Sequence, residues 1–371
     1  MRFGTFCPAL ILTVLGASLP AQQPSTTEPY HVIKRARVGG EGGYDYVCAD
    51  VAGRRLYIPR GGARPVAATD STPAKPGTPG RITVFDLETL APLGEIPNTG
   101  GQGVVVDPAS AHGFSSSPAV TMFDTKSLTV IKQIEVAPAR PDGILFDPFN
   151  RRVYVFSHPT RNATVIDAKD GTVLGTIDLG GVPEEAVSDG HGTMYVVMQD
   201  TAGSVTVVDT KAMRATAHYS LGDRGRCNGL ALDAKRHVLF AACAQSGNPP
   251  ANPPQPMMVI LSATNGSILD SLPLAGRSDG AVFNPATDEA FSTGANGTLT
   301  VVKERSPTTF VVEEDLQTMN GARTITLDTK TNRIFTISLE RGPAPAGAVP
   351  GSRESFGPPV PGSFTILMIG R

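Results

Sequence analysis

The chain is poor in the patterns through which enzymes most often declare themselves. Tryptophan is absent, and aromatic residues make up only 6%. The six histidines (31, 112, 158, 191, 218 and 237) show no paired metal spacing, and no Cys-x-x-Cys-His run could attach a haem. Ser115, Ser116 and Ser117 lack the flanking glycines of a nucleophile elbow. The clusters GGEGG and GGQG open no helix, so they read as turns rather than phosphate loops. With a net charge of −2, the basic run Lys34-Arg35-Ala36-Arg37 reads as a solvated face, and no nucleic-acid partner is expected. Past the first residues no apolar run is long enough to span a membrane.

What the chain does have is a repeat. Its clearest copy, Pro141 to Leu179, reads apolar strand, Asp-Pro turn, strand, polar turn, strand ending at Asp167, Asp-Gly turn, strand. The residue closing the first strand recurs at Asp50, Asp107, Asp147, Asp189, Asp233, Asn284 and Asp328, at gaps of 57, 40, 42, 44, 51 and 44. A second anchor closes the third strand at Asp86, Asp124, Asp167, Asp209, Ser262 and Lys303, with Gly370 equivalent. Copies of this period with four short strands each define an all-β fold, a seven-bladed β-propeller. The last copy lacks a fourth strand, while Tyr30 to Val38 is a spare one near the N-terminus. The N-terminal strand is therefore expected to close the last blade and leave no open sheet edge there.

Three stretches rich in Pro or Gly interrupt the pattern at 61–80, 246–256 and 341–362. All fall between second and third strands, which returns them to the face where first strands begin. They are expected to wall that face, because long loops gathered on one side of a repeat protein commonly form its binding surface. Blade two should have a short second strand, from the poor run AHGFSSS. Asp170-Gly171, Asn265-Gly266 and Asn296-Gly297 are hairpin-turn signals. The paired arginines Arg54, Arg55, Arg151 and Arg152 are expected to pair with turn carboxylates.

Residues 1–21 read as a signal peptide: Arg2, an apolar stretch from Pro8 to Leu19, and small residues up to Ala21. Residues 22–29 follow as a flexible mature N-terminus, and 30–371 form the propeller. The expected location is periplasmic or secreted, and the expected state is a monomer. In an oxidising compartment Cys227 and Cys243 should be bonded, since a tight hairpin at Ala234 to His237 sets them nearly opposite each other. The alternative is two buried thiols. Cys48, in mid-strand, reads as a small buried hydrophobe.

The copies VYVFSHPTRNATVID (Val153 to Asp167) and MYVVMQDTAGSVTVVD (Met194 to Asp209) resemble the YVTN repeat of bacterial seven-bladed propellers, the YncE-like family. The Thr-Asn pair of that repeat is Phe156-Ser157 in blade three and Val197-Met198 in blade four. The resemblance covers about Tyr30 to Arg371. It implies an exported propeller used for binding or scaffolding and transfers no catalytic residue set. The propeller is also similar to those attached to some periplasmic redox enzymes.

Five residues before each first-strand anchor stands a polar residue: Asp45, Gln102, Asp142, Glu184, Asn228, Asp279 and Arg323. First strands of a propeller are innermost, so these seven should ring one mouth of the central channel. Glu185 lies beside Glu184, and Gly103, Gly143, Gly229 and Gly280 follow four of them, leaving room near the axis. The ring could hold a small molecule, peptide or protein partner. Asp142, Glu184, Asn228 and Asp279 supply hard oxygen donors suited to Ca2+, Mg2+ or Mn2+, with Ca2+ or Mg2+ the expected cofactor if one binds. The alternatives are a ring that only hydrates the channel mouth, and a divalent-metal-dependent hydrolase or lactonase, by analogy with six-bladed propeller lactonases. With no nucleophile and base in view, the binding reading is preferred.

Overall fold

The computed structural model describes Met1 and residues 28–63, 76–136, 141–246, 255–348 and 357–371, with isolated positions 65, 67, 68, 73, 74, 252 and 253 between them. The expected signal peptide and most of the expected flexible N-terminal stretch lie outside these residues, as do parts of all three Pro/Gly-rich stretches.

Seven four-stranded antiparallel sheets make up the fold, and no helix occurs among the described residues. Blade one comprises Cys48–Asp50, Arg55–Arg60, Arg81–Asp86 and Pro92–Pro97 in spatial order. The seventh sheet joins Thr326–Asp328, Arg333–Ser338 and Thr365–Gly370 to the N-terminal strand His31–Arg37 as its outermost member. That pairing is antiparallel, from His31 opposite Gly370 to Arg37 opposite Thr365. The short second strand of blade two is present as His112–Ser115.

Sequence pattern and burial agree strand by strand. Second strands such as Arg152–Ser157 (RVYVFS) are buried from their second residue onward, because blades cover both of their faces. Outer strands such as Arg214–Ser220 alternate between exposed and half-buried, as one-sided strands do. The core therefore lies between blades. Tyr195, Val197 and Val205 of blade four pack on Leu230, Leu239 and Ala241 of blade five. At the closing seam Leu56 and Ile58 of blade one pack on Phe335, Phe364 and Ile366 of blade seven. Each such side chain contributes about 1.5–3 kcal/mol on burial.

Cys227 and Cys243 are bonded, and their residues are directly paired in the blade-five hairpin. Cys48 differs from expectation. It is a half-buried thiol that lines the central channel, because its strand is the innermost of blade one.

On the face where first strands end, arginines tie neighbouring blades together. Arg54 of blade one makes a bidentate pair with Asp328 of blade seven, at 2.9 and 2.8 Å. Arg151 of blade three lies 2.5 Å from Asp107 of blade two, and Arg236 of blade five lies 2.6 Å from Asp288 of blade six. Arg55 and Arg152 depart from the expected carboxylate pairing. They reach the next blade and donate to the backbone carbonyls of Thr125 and Thr210. The second arginine of each turn begins the second strand, so it points to the opposite neighbour from the first. Such a turn grips both adjacent blades at once.

Candidate ligand site at the channel mouth

The seven polar positions predicted for the ring gather at one end of the channel, and a recurring backbone irregularity helps to place them. In blades three to six the first strand carries a bulge at the ring position. The register shifts between Pro141 and Ile144, Pro183 and Ala186, Cys227 and Gly229, and Ser278 and Ala281. Asp142, Glu184, Asn228 and Asp279 sit inside these shifts. A bulge re-aims a side chain that regular pleating would send into a blade interface. Asp45, Gln102 and Arg323 stand just before the first strands of their blades, which start at Cys48, Val104 and Thr326. Gly229 shows why small residues follow: a Cβ there would come within 2.8 Å of the Gly280 backbone.

A chain of contacts runs around the mouth. Gln102 Nε2 donates to Asp45 Oδ2 at 3.0 Å, and Asp45 Oδ1 lies 3.6 Å from Arg323 Nη2. Arg323 Nη1 lies 3.0 Å from Asp279 Oδ2. Asn228 Nδ2 donates to Asp279 Oδ1 at 2.9 Å and to Glu184 Oε1 at 3.4 Å. His158 Nε2 completes the arc, 3.9 Å from Glu184 Oε1 and 2.7 Å from Asp142 Oδ2. Among the described residues no such contact joins Asp142 back to Gln102, so the circle is open between blades two and three.

Four participants were not among the predicted ring positions. His158 and Gln199 each follow the end of a second strand, Arg152–Ser157 and Thr193–Met198, which lies beside the start of its own first strand. Gln199 Nε2 donates to Glu184 Oε1, and Tyr46 donates its hydroxyl to Glu184 Oε2 at 2.9 Å. Glu185 reaches deeper. Its Oε2 accepts the backbone N–H groups of Leu230 and Ala281 at 2.7 and 3.0 Å, tying blade four to blades five and six. Pairing strand ends across each blade, rather than reading first strands alone, would have found His158 and Gln199.

The electrostatics show a surplus of acceptors. Burial, reinforced by Asp279, pushes the Asp45 carboxyl up to about 7. Burial and the charge of Asp142 push Glu184 up to about 8. Burial also takes Glu185 to about 8, against the pull of its two backbone donors. His158 is raised: burial opposes its charge, but the bond to Asp142 and the nearby carboxylates outweigh it. Asp142 Oδ1 and Asn228 Oδ1 are buried and accept no hydrogen bond. Asn228 as a whole is only 4% exposed.

Of the four donor candidates for a metal, Asp142 and Glu184 come together with His158, and Asn228 stands beside Glu184. The donor atoms of Asp142, His158 and Glu184 all lie within 4.8 Å of one another. Two carboxylates and an imidazole fit Zn2+ as well as Mn2+, and suit Ca2+ or Mg2+ less than an all-oxygen set would. Below the mouth a cavity of about 180 Å³ is lined by Val104, Ile144, Val282 and Ile325 together with Glu184, Glu185 and Thr326.

The first Pro/Gly-rich stretch begins beside the ring. Gly61, at the exit of the second strand of blade one, donates its N–H to Gly43 O at 2.8 Å, two residues before Asp45.

No protein-family model and no curated protein sequence matches the chain. Solved structures do. The chain is similar to the WD40 repeats of RRP9 at a TM-score of 0.67 and 9% identity, covering 92% of this chain and 97% of that one. It is similar to U3-55K at 0.66 and 9% identity, over 91% and 98%. It is also similar to hydrazine synthase of Kuenenia stuttgartiensis at 0.63 and 15% identity, over 79% and 92%. Identities this low establish the propeller scaffold alone. No helix among the described residues is long and apolar enough to cross a membrane.

Proposed function

We propose that this chain is an exported, non-catalytic binding propeller of the YVTN-repeat type, and that its channel mouth takes a cationic group carried by a small molecule, peptide or protein partner. One observation carries the reading: the mouth holds more buried acceptors than donors. Asp142 Oδ1 and Asn228 Oδ1 have no donor, while burial and the charges of Asp142 and Asp279 push Asp45 up to about 7 and Glu184 up to about 8. A cation seated among them satisfies the orphan oxygens and favours ionisation of both carboxyls. Partial exposure leaves the site open to a partner: the side chains of Arg323, His158 and Asp45 are 42%, 31% and 24% exposed. The signal-peptide pattern and the disulfide support an oxidising compartment.

The second reading is a divalent-metal-dependent hydrolase, favoured by the close approach of Asp142, His158 and Glu184. Calorimetric titration of chelator-treated protein separates the two. Ca2+, Mg2+, Mn2+ and Zn2+ form one series; free lysine and arginine, as probes for cationic side chains, form the other. A cationic probe should bind with release of protons, seen as a dependence of the heat on buffer. Asp142→Asn should weaken it about tenfold, the equivalent of one charge-assisted contact. Binding of a metal together with metal-dependent lactone hydrolysis would favour the enzyme. No binding in either series would refute both.

A further inference from the structure

A second cavity lies away from the ring, at the closing seam between blades seven and one. It measures about 340 Å³. Two arginines that the channel-mouth reading leaves unused line it. Arg60 ends the second strand of blade one, Arg81 begins the third, and the two stand directly opposite each other in the sheet. Like charges in directly opposed positions are unfavourable.

Nothing charged offsets Arg60. Its side chain is only 1% exposed, and its guanidinium lies 3.6 Å above the ring of Phe364. Its bonds go to backbone carbonyls: Gly39 at 3.4 Å, Gly40 at 3.3 Å and Gly42 at 3.0 Å. Its Nε is buried and has no acceptor. Burial and the charge of Arg81 together lower Arg60 to about 10. Arg81 donates to the Glu41 carbonyl at 3.2 Å and lies 3.3 Å from Glu95, whose side chain is 56% exposed. An ion pair this open to solvent is weak. The two guanidinium groups converge on one residue. A Cβ on Gly40, whose φ is +80°, would come within 2.6 Å of Arg81 Nη2 and 3.9 Å of Arg60 Nη1. Glycine keeps that space clear.

The geometry points to an oxyanion site in this seam cavity, built by Arg60 and Arg81 for an organic carboxylate with an apolar body. The guanidinium pair supplies the planar donor groups that carboxylates engage. Val38, Phe85 and Pro92 give the cavity an apolar wall. An oxyanion brings the charge that the pair lacks, and the wall favours a ligand whose remaining surface is hydrocarbon. Such a carboxylate can come from a free organic acid or from the C-terminus of a peptide, and the two sources are separable by experiment.

The test is titration of the full-length protein, by calorimetry and thermal shift, with four probes: benzoate, a short apolar peptide with a free C-terminus, the same peptide amidated, and inorganic phosphate. Benzoate, the free peptide or both should bind, whereas the amidated peptide and phosphate should not. Arg81→Gln, at a position partly open to solvent, should keep the fold and weaken the carboxylate about tenfold. Gly40→Ala should weaken it as well while leaving both charges in place. Failure of both carboxylates to bind the unmodified protein overturns the proposal. So does unchanged affinity in Arg81→Gln, or phosphate binding where the carboxylates do not.

Discussion

The two faces of this propeller use the same side chain to opposite ends. Where first strands finish, Asp107, Asp288 and Asp328 each pair with an arginine of a neighbouring blade. Burial works against the ionisation of Asp107 and Asp328, yet Arg151 and Arg54 outweigh it and hold both below the usual carboxylate range. Arg236 does the same for Asp288. Where first strands begin, Asp45, Asp142, Glu184, Glu185 and Asp279 share Arg323 and His158, and Asp45, Glu184 and Glu185 are pushed upward instead. The first face is clamped at these three positions, although burial and the charge of Asp233 push Glu304 there up to about 7. The other carries unrelieved charge, which a fold selected for stability alone would not keep.

The contrast is most directly broken by removing a clamp. Arg54→Ala strands Asp328, whose side chain is fully buried, between blades seven and one. The loss should be about 3 kcal/mol or more, read from urea midpoints, because a buried carboxylate is left unpaired. Next in size is the staple beneath the ring. Cys227 flanks Asn228, and opening its bond to Cys243 releases a loop of 16-residue separation. A Cys227→Ala, Cys243→Ala double variant should lose about 3 kcal/mol. Intact-mass analysis with thiol alkylation should find one reactive cysteine per mature chain before reduction and three after it.

The pH dependence of stability sharpens the comparison, because the clamped Asp107 and Asp328 differ in sign from the ring, with Glu304 on the clamped face, also raised to about 7, siding with the ring. Between pH 8 and pH 4 the folded ring binds protons that the unfolded chain does not, so stability should rise as pH falls through about 8 and 7. The clamped carboxylates have depressed values, so their contribution is complete above the unfolded range near 4 and is lost as pH falls below it. Maximal stability should therefore lie near pH 4–5 and exceed that at pH 8 by at least about 1 kcal/mol. A flat profile between pH 8 and pH 5 would refute the strained ring. The smallest effect is a single substitution. Glu184→Gln keeps an acceptor for Tyr46 and removes a repelling charge. It should stabilise the protein at pH 8 by about 1 kcal/mol and do little at pH 5.

Strand period, blade count and closure were legible from sequence because each repeats or is local. The ring positions followed too, since five residues along one strand is a fixed displacement. His158 and Gln199 were not legible. They reach the ring from second strands, and the bulges that bring first-strand residues toward them leave no mark in hydrophobic alternation. Arg60 was hidden for a related reason. A strand ending in arginine reads as ending at solvent, whereas here Phe364 and the glycine-rich connection from the N-terminal strand cover it. The alternation Arg54–Asp328 against Arg55–Thr125 was half legible: composition suggested ion pairs, but strand geometry sends the second arginine to a carbonyl.

The closing strand also sets a timetable. His31 pairs with Gly370, so this strand joins its partner only after the whole stretch of propeller between them has been made. Hairpins inside blades one to six need only their own neighbourhood. Loop-closure entropy grows slowly with length, so the final stability suffers little from so distant a pairing. The rate is another matter, because contacts between remote segments form late. Six blades can be complete while the seventh waits, and during that interval the strand Thr365–Gly370 offers an unpaired edge. A chaperone that recognises exposed strands would find its target there, at the last step of assembly.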